Sequence, residues 1–161
     1  MAQEIAKQMV EEFLGDLASD SPGPGSGSAA AVVAAIAAAL VSKVCRLTID
    51  KEKYADGRHE MCLALGHVEA LRSALLLFAE TDKNSFLTVI TSKGSAGSLQ
   101  KAADVANAIA YMAEEVQCLA KIAAEKGNQN LSAEANLALD LARMAKSNAL
   151  SIARINSPKT A

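Results

Sequence analysis

The 161-residue sequence has no tryptophan, two tyrosines and three phenylalanines, a poor fit to a β-sandwich, whose strands draw on aromatic and β-branched side chains. Cysteine is scarce too. Cys45, Cys62 and Cys118 are odd in number, far apart and outside any Cys-x-x-Cys pair, which speaks against a disulfide framework and suits reduced thiols in a cytoplasm. As small side chains they read most simply as buried hydrophobes. His59 and His67 lie near Cys62 at spacings that match no zinc pattern, so no metal site is expected. Lys and Arg number 16 against 18 Asp and Glu, a net charge of -2 without any basic block, which leaves nucleic acid no electrostatic footprint. The longest apolar run, Ala29 to Val41, is shorter than the roughly 20 residues of a membrane span. Met1-Ala2-Gln3-Glu4 carries an acid where an export signal begins with basic residues. The expectation is a soluble, cytoplasmic protein that partners neither nucleic acid nor membrane.

What is abundant is alanine, 34 residues in a chain that is 51% hydrophobic and 21% charged. Such a composition folds, and it favours closely packed helices. One domain over residues 1–161 is expected, without linker or internal repeat. Ile5, Met9, Phe13 and Leu17 recur every fourth residue and predict a first helix ending near Leu17. After Pro22-Gly23-Pro24-Gly25-Ser26-Gly27-Ser28 a second helix starts at Ala29 and is apolar all round, which makes it the axis of a bundle or part of a subunit interface. Met61, Leu65, Val68, Leu75 and Ala79 mark a third. Asp82 to Thr91 reads as a further helix, because Thr88-Val89-Ile90-Thr91 has no second strand to pair with. Ser98 is placed to cap a helix running from Ala102 to Ala123 that Gly127 stops, and Ser132 to cap the last one. In that last helix Leu137, Leu141, Met144, Ile152 and Ile155 form an apolar stripe with Asn148 inside it. The expected fold is all-α, a single-domain bundle of about five helices around an alanine-rich central helix.

Few segments can carry chemistry. The Gly/Ser turn presents free backbone N–H groups at the positive end of a helix macrodipole, which suits an anionic group; its plainer reading is a chain reversal. It is no P-loop, since Gly-Lys-Ser/Thr is missing, and no strand precedes it as a dinucleotide fingerprint requires. Asn148 either makes an interhelical hydrogen bond or meets a ligand. Glu80 and Asp82 stand before Phe86 at a helix end or kink, as solvated caps or as acid/base groups.

The Pro/Gly turn with its alanine helix, followed by Leu47-Thr48-Ile49 and Lys53-Tyr54, resembles the cyclodeaminase/cyclohydrolase family of folate enzymes. The likeness continues in order through Asp82 and Phe86, Gly127-Asn128 with Ser132, then Asn148 and Arg154-Ile155-Asn156, and so spans nearly the whole chain. Ser26 and Ala133 depart from the family pattern, where a glycine and an aspartate are usual. The resemblance implies an all-helical homodimer acting on the one-carbon unit of tetrahydrofolate. Its reaction is closure of the 5-formimino form with loss of ammonia, or opening of the 5,10-methenyl form with water. No cofactor beyond that substrate is implied. Asp82 is then the catalytic carboxylate, with Gly25, Ser26, Gly27, Ser28, Lys53, Tyr54, Asn128, Ser132 and Asn148 as substrate-binding residues. The turn at Gly25 to Ser28 suits the glutamate-tail carboxylate of the substrate rather than its cationic carbon, which a helix N-terminus repels. The rival reading is a catalytically silent helical module that binds folate or another protein through the alanine-rich face.

Overall fold

A computed structural model describes residues 4–157. Met1–Gln3, used above against an export signal, lie outside the described residues, as do positions 158–161. Five α-helices account for most of the chain: α1 (Val10–Ala18), α2 (Ser26–Ile49), α3 (Arg58–Thr91), α4 (Ala96–Lys126) and α5 (Ser132–Asn156). Short 3₁₀ turns at Ile5–Lys7, Glu52–Gly57 and Gln129–Leu131 join or precede them. Helices α2 to α5 run alternately up and down. α2 packs between α3 and α5, and α4 closes the ring against the same two. The all-α expectation holds, with α2 as the alanine-rich member that touches every other long helix.

Several boundaries differ from the sequence reading, each for a local reason. The first helix does not run through from Ile5: Met9 is extended (ψ 152°), and Glu12 accepts its backbone N–H at 3.0 Å, so α1 starts afresh at Val10. Only Ile5 and Phe13 of that stretch are buried. α2 starts three residues before Ala29, with Gly25 as N-cap, so Ser26, Gly27 and Ser28 form its first turn. Asp82 to Thr91 is not a separate helix but the continuation of α3, which places Asp82 in mid-helix and not at an end or kink. Ser95, not Ser98, caps α4 by accepting the Ser98 N–H, and Ser98 is buried in the first turn. Ser132 is likewise the first residue of α5 and caps nothing; the Asn128 side chain caps the preceding 3₁₀ turn. Gly127 does end α4, through space: a Cβ there would strike the Ala123 carbonyl and Val44.

The largest correction concerns α5. Its predicted apolar stripe faces outward, with Leu137, Met144, Asn148 and Ile155 exposed, the last to 77%. Every buried residue of α5 is alanine: Ala135, Ala138, Ala142, Ala145, Ala149 and Ala153. Of the 34 buried apolar residues among the described ones, 21 are alanine, so the helix axes approach closely and the core holds little bulk. Met61, Leu75 and Ile109 are the largest fully buried side chains. Cys45 is buried as expected, but Cys62 and Cys118 are exposed.

α2 is largely buried, yet Ile36 remains 50% exposed on a stripe it shares with half-buried Val32, Val33 and Leu40. By length and composition α2 is apolar enough to cross a membrane, against the expectation from its shorter uninterrupted run, and so is the segment Glu52–Thr91. In α2 that apolarity is the hydropathy of a core helix, since most of its apolar stretch is covered by its neighbours.

The exchange of faces on α5 is testable. Ala142→Leu should destabilise the protein by about 1–3 kcal/mol through overpacking, whereas Ile155→Ala should change stability by less than about 0.5 kcal/mol. Urea midpoints would show the reverse order if the sequence stripe were the core.

Candidate active site

The first turn of any α-helix leaves backbone N–H groups without intrahelical partners. In α2 the N-cap is Gly25, which has no side chain to satisfy them. A partner arrives instead from α3. The Asp82 carboxyl lies against the start of α2, accepts a hydrogen bond from the Ser28 backbone, and has its Oδ2 3.1 Å from the Ser28 hydroxyl oxygen. Ser28 Oγ also donates to the Ala79 carbonyl at 2.8 Å. A Cβ on Gly27 would land on the Asp82 carboxyl, so this position has to be glycine for the two helices to meet.

Asp82 is 8% exposed, and burial pushes its carboxyl above the ordinary carboxylate range against the opposing pull of the two Ser28 hydrogen bonds. Its open edge forms part of a cleft of about 210 Å³ where all four long helices meet. Gly25, Ser26 and Gly27 line one wall, Asp82, Ser85 and Phe86 a second, Ala102 of α4 and Ile152, Ile155 and Asn156 of α5 the rest. Asp82 is the only ionisable residue of that lining. A lone neutral-leaning carboxyl in an apolar cleft is an arrangement suited to proton transfer.

Two other acids, one beside Asp82 in sequence and one at the start of α5, stand outside the cleft. Glu80 accepts the Ile5 backbone N–H at 3.3 Å and pairs with Lys83, and Glu134 pairs with Lys43 at 2.8 Å; neither lines the cleft. Among the described residues no three of His, Cys, Asp or Glu gather as metal ligands would.

The remaining sequence candidates fall elsewhere on the molecule. Ser28 is fully buried behind Asp82 and does not line the cleft. Lys53, Tyr54 and Asn128 cluster at the opposite end of α2, about 31 Å along its axis from Gly27 to Thr48. There Thr48 Oγ1 accepts the Asn128 N–H at 2.9 Å, and the Tyr54 hydroxyl contacts Asn128 Oδ1 at 3.4 Å and accepts the Gln129 N–H at 3.1 Å. Lys53 is exposed, with its ammonium 5.5 Å from the Tyr54 ring centre. Ser132 is exposed at the start of α5 near that end. Asn148 is exposed on α5 in a shallow depression with Asp140, Arg143, Met144, Ser147 and Ser151, so it makes no buried interhelical bond.

Sequence reasoning missed Ser85 and Ala102 as lining residues, and quoted Thr48 in the resemblance without a role. Ser85 lies three residues beyond Asp82, one helical turn along the same face, and Ala102 carries no signal beyond helix periodicity.

A four-helix core with a cleft whose one carboxyl among the described residues is held by the N-terminus of a neighbouring helix defines an all-helical protein, with no metal cluster among those residues. The chain belongs to the formiminotransferase-cyclodeaminase family, whose model matches residues 9–161. It is 37% identical over 147 residues to the methenyltetrahydrofolate cyclohydrolase of Methylorubrum extorquens, covering 82% of this chain and 71% of that one. The crystal structure of formiminotetrahydrofolate cyclodeaminase from Thermotoga maritima superposes with a TM-score of 0.91 at 28% identity, covering 95% of this chain and 80% of its own.

The buried carboxyl makes a prediction about stability. Folding raises the pKa of Asp82 above 3.8, so the folded state holds its proton to higher pH than the unfolded state does. Its contribution to stability is therefore greatest below that value and falls as pH rises through the folded pKa. Asp82→Asn removes this dependence, and the variant should be at least as stable as the parent near neutral pH. Urea titrations across about pH 4 to 7 check it; identical pH dependence in parent and variant would contradict the assignment.

Proposed function

We propose that this protein acts on the amidine carbon of a tetrahydrofolate derivative, opening the 5,10-methenyl form with water to 10-formyl-tetrahydrofolate, with Asp82 moving the protons. The observation that carries this reading is the single ionisable group in the cleft, in a chain of this family. The higher identity to a cyclohydrolase than to a cyclodeaminase supports hydrolysis over deamination.

The chemistry balances on one carboxyl. As the water oxygen bonds to the cationic methenyl carbon, Asp82 in its carboxylate form takes a proton from that water. When the bond from this carbon to N5 breaks, Asp82 returns the proton to N5, while the hydroxyl of the adduct loses its own proton to solvent and becomes the formyl oxygen. One proton is released overall, as a cation turning into a neutral amide requires. In the cyclodeaminase direction the same group would protonate the departing ammonia as N10 bonds to the formimino carbon. Phe86 and the two isoleucines offer the pterin an apolar wall, while the carboxyl faces the reacting carbon; Gly25 to Gly27 line this same cleft, so the turn borders the reacting end instead of the glutamate tail expected of it, and Asp82 offsets its positive end.

The cleft is smaller than the roughly 300 Å³ at which pockets for drug-sized ligands begin, so it holds the reacting end of a folate rather than all of it. The other family-matching residues, Lys53, Tyr54 and Asn128, stand at the far end of α2. A homodimer that covers the open apolar stripes of α2 and α5, with its two-fold axis perpendicular to α2, would set the Lys53 end of one chain beside the Asp82 end of the other. Exposed Ile36, Met144 and Leu137 support that interface. The exposed thiols of Cys62 and Cys118 fit a reducing, cytoplasmic setting.

Loss of the near-ultraviolet absorbance of methenyl-tetrahydrofolate measures turnover, and ammonia release from the formimino substrate measures the other reaction. Asp82→Asn should lower turnover by about 10²- to 10⁴-fold with substrate binding nearly kept. A parental rate equal to the uncatalysed one would leave a silent binding module. If the site is shared, mixing inactive Asp82→Asn with inactive Lys53→Ala should restore about a quarter of parental activity, because half the dimers are mixed and each has one intact site. No restoration would confine the site to one chain.

A further inference from the structure

We propose that Ser28 is a positioning residue for the reaction: its hydroxyl, shared between the Ala79 carbonyl and Asp82, sets which protonation state Asp82 presents to the cleft. This rests on Asp82 being the acid/base group. A serine hydroxyl has one proton to give and can also accept. Ser28 Oγ lies 2.8 Å from the Ala79 carbonyl oxygen, which can only accept, and 3.1 Å from Asp82 Oδ2. When Ser28 donates to Ala79, the contact with Asp82 is a hydrogen bond only if Asp82 carries the proton and donates it. When Asp82 is ionised, the Ser28 proton turns to Oδ2 and joins the backbone N–H of the same residue in holding the carboxylate. The Ala79 carbonyl then keeps its partner within α3, so the exchange requires rotation of one hydroxyl proton and no movement of heavy atoms.

Among the described residues no charged side chain faces Asp82, and the N-terminus of α2, acting through the Ser28 N–H, favours the carboxylate as the hydroxyl does. α2 presents Gly27 and Ser28, α3 presents Ser85 and Phe86, α4 presents Ala102, and α5 presents its two isoleucines and Asn156. None of these is charged, and burial alone favours the neutral acid. The methenyl substrate brings a positive charge to the same cleft, and a nearby cation favours the carboxylate. In the empty site burial biases Asp82 toward its neutral form, and in that form it donates its proton to Ser28. On binding the cationic substrate it releases that proton to solvent, Ser28 turns toward it, and the carboxylate so formed is the base that takes a proton from water. After delivering that proton to N5, Asp82 is again a carboxylate and takes one from solvent as the product leaves.

Ser28 differs from a general packing residue in what its loss should do. Without the hydroxyl the carboxylate loses a stabilising donor, so Ser28→Ala should displace the acid limb of the kcat/KM profile to higher pH. Below the limb the variant should be about tenfold slower than the parent, with the high-pH plateau within about threefold. Ser28→Cys fills much the same space with a weak donor, and should follow Ser28→Ala. A limb that stays at the parental pH while the plateau falls, or a Ser28→Cys profile like the parent's, would overturn the role of Ser28. Turnover of Asp82→Asn within a few-fold of the parent would instead overturn the assignment of Asp82 itself. The infrared difference between the parent and Asp82→Asn tests the same point without Ser28 variants. The carbonyl stretch of a protonated carboxyl should be present where exposed carboxyls are already ionised and should fade on adding methenyl-tetrahydrofolate; its absence from the empty protein would also overturn the proposal.

Discussion

Close approach of helix backbones governs this molecule. α2, α4 and α5 meet through alanines, and a side chain no longer than a methyl lets the axes come nearer than leucine-packed helices can. The geometry of the cleft follows from that approach. Only because α2 and α3 are in close contact can a carboxyl from the middle of one reach the first amides of the other. Gly27 is the extreme case, a position where even the alanine methyl has no room. At the opposite end Gly127 repeats the rule, with its hydrogen facing Val44 and the Ala123 carbonyl. Both ends of α2 are thus fixed by contacts to which additional carbon atoms cannot be added.

The electrostatics of the cleft are set by subtraction. Asp82 has no arginine or lysine partner there; its ionisation is opposed by burial and favoured only by Ser28. Elsewhere acids behave in the ordinary way. Glu69, held by Arg72 with help from Ser42, has its carboxyl pulled down to about 2 and stays charged at any physiological pH. These two carboxyls on one helix, both bonded to side chains from α2, are shifted in opposite directions because one has an arginine partner and the other only burial and a serine.

Periodicity in the sequence was a good guide to helices and a poor guide to their faces. The five helices are legible because alanine, leucine and glycine punctuation favour no other fold, and the Pro/Gly turn marks the start of α2 to within three residues. Faces were misread on α5 because the reading weighted large side chains, whereas this core is built from small ones; the stripe of Ala135, Ala138, Ala142 and Ala145 has the same period as the leucines and was passed over. Asp82 was found, through its likeness to a family motif, but its setting in mid-helix was not: the strand-like Thr88 to Thr91 suggested a break that the structure lacks. Tyr54 and Asn128 are legible only as separate elements of the resemblance; that they meet, and do so at the far end of α2 from Asp82, is shown by the structure alone.

Asp82 sits well inside an unbroken helix, with nine residues of α3 still to follow, through Thr91. Backbone on both sides is locked by its own hydrogen bonds, so the carboxyl cannot be delivered or withdrawn by a loop. Its movements are those of a side-chain torsion and a hydroxyl rotor, which relax on the picosecond to nanosecond scale, far ahead of hinge or lid motion. The carboxyl therefore stands in the cleft before any ligand arrives, and no loop or lid among the described residues has to fold to place it there.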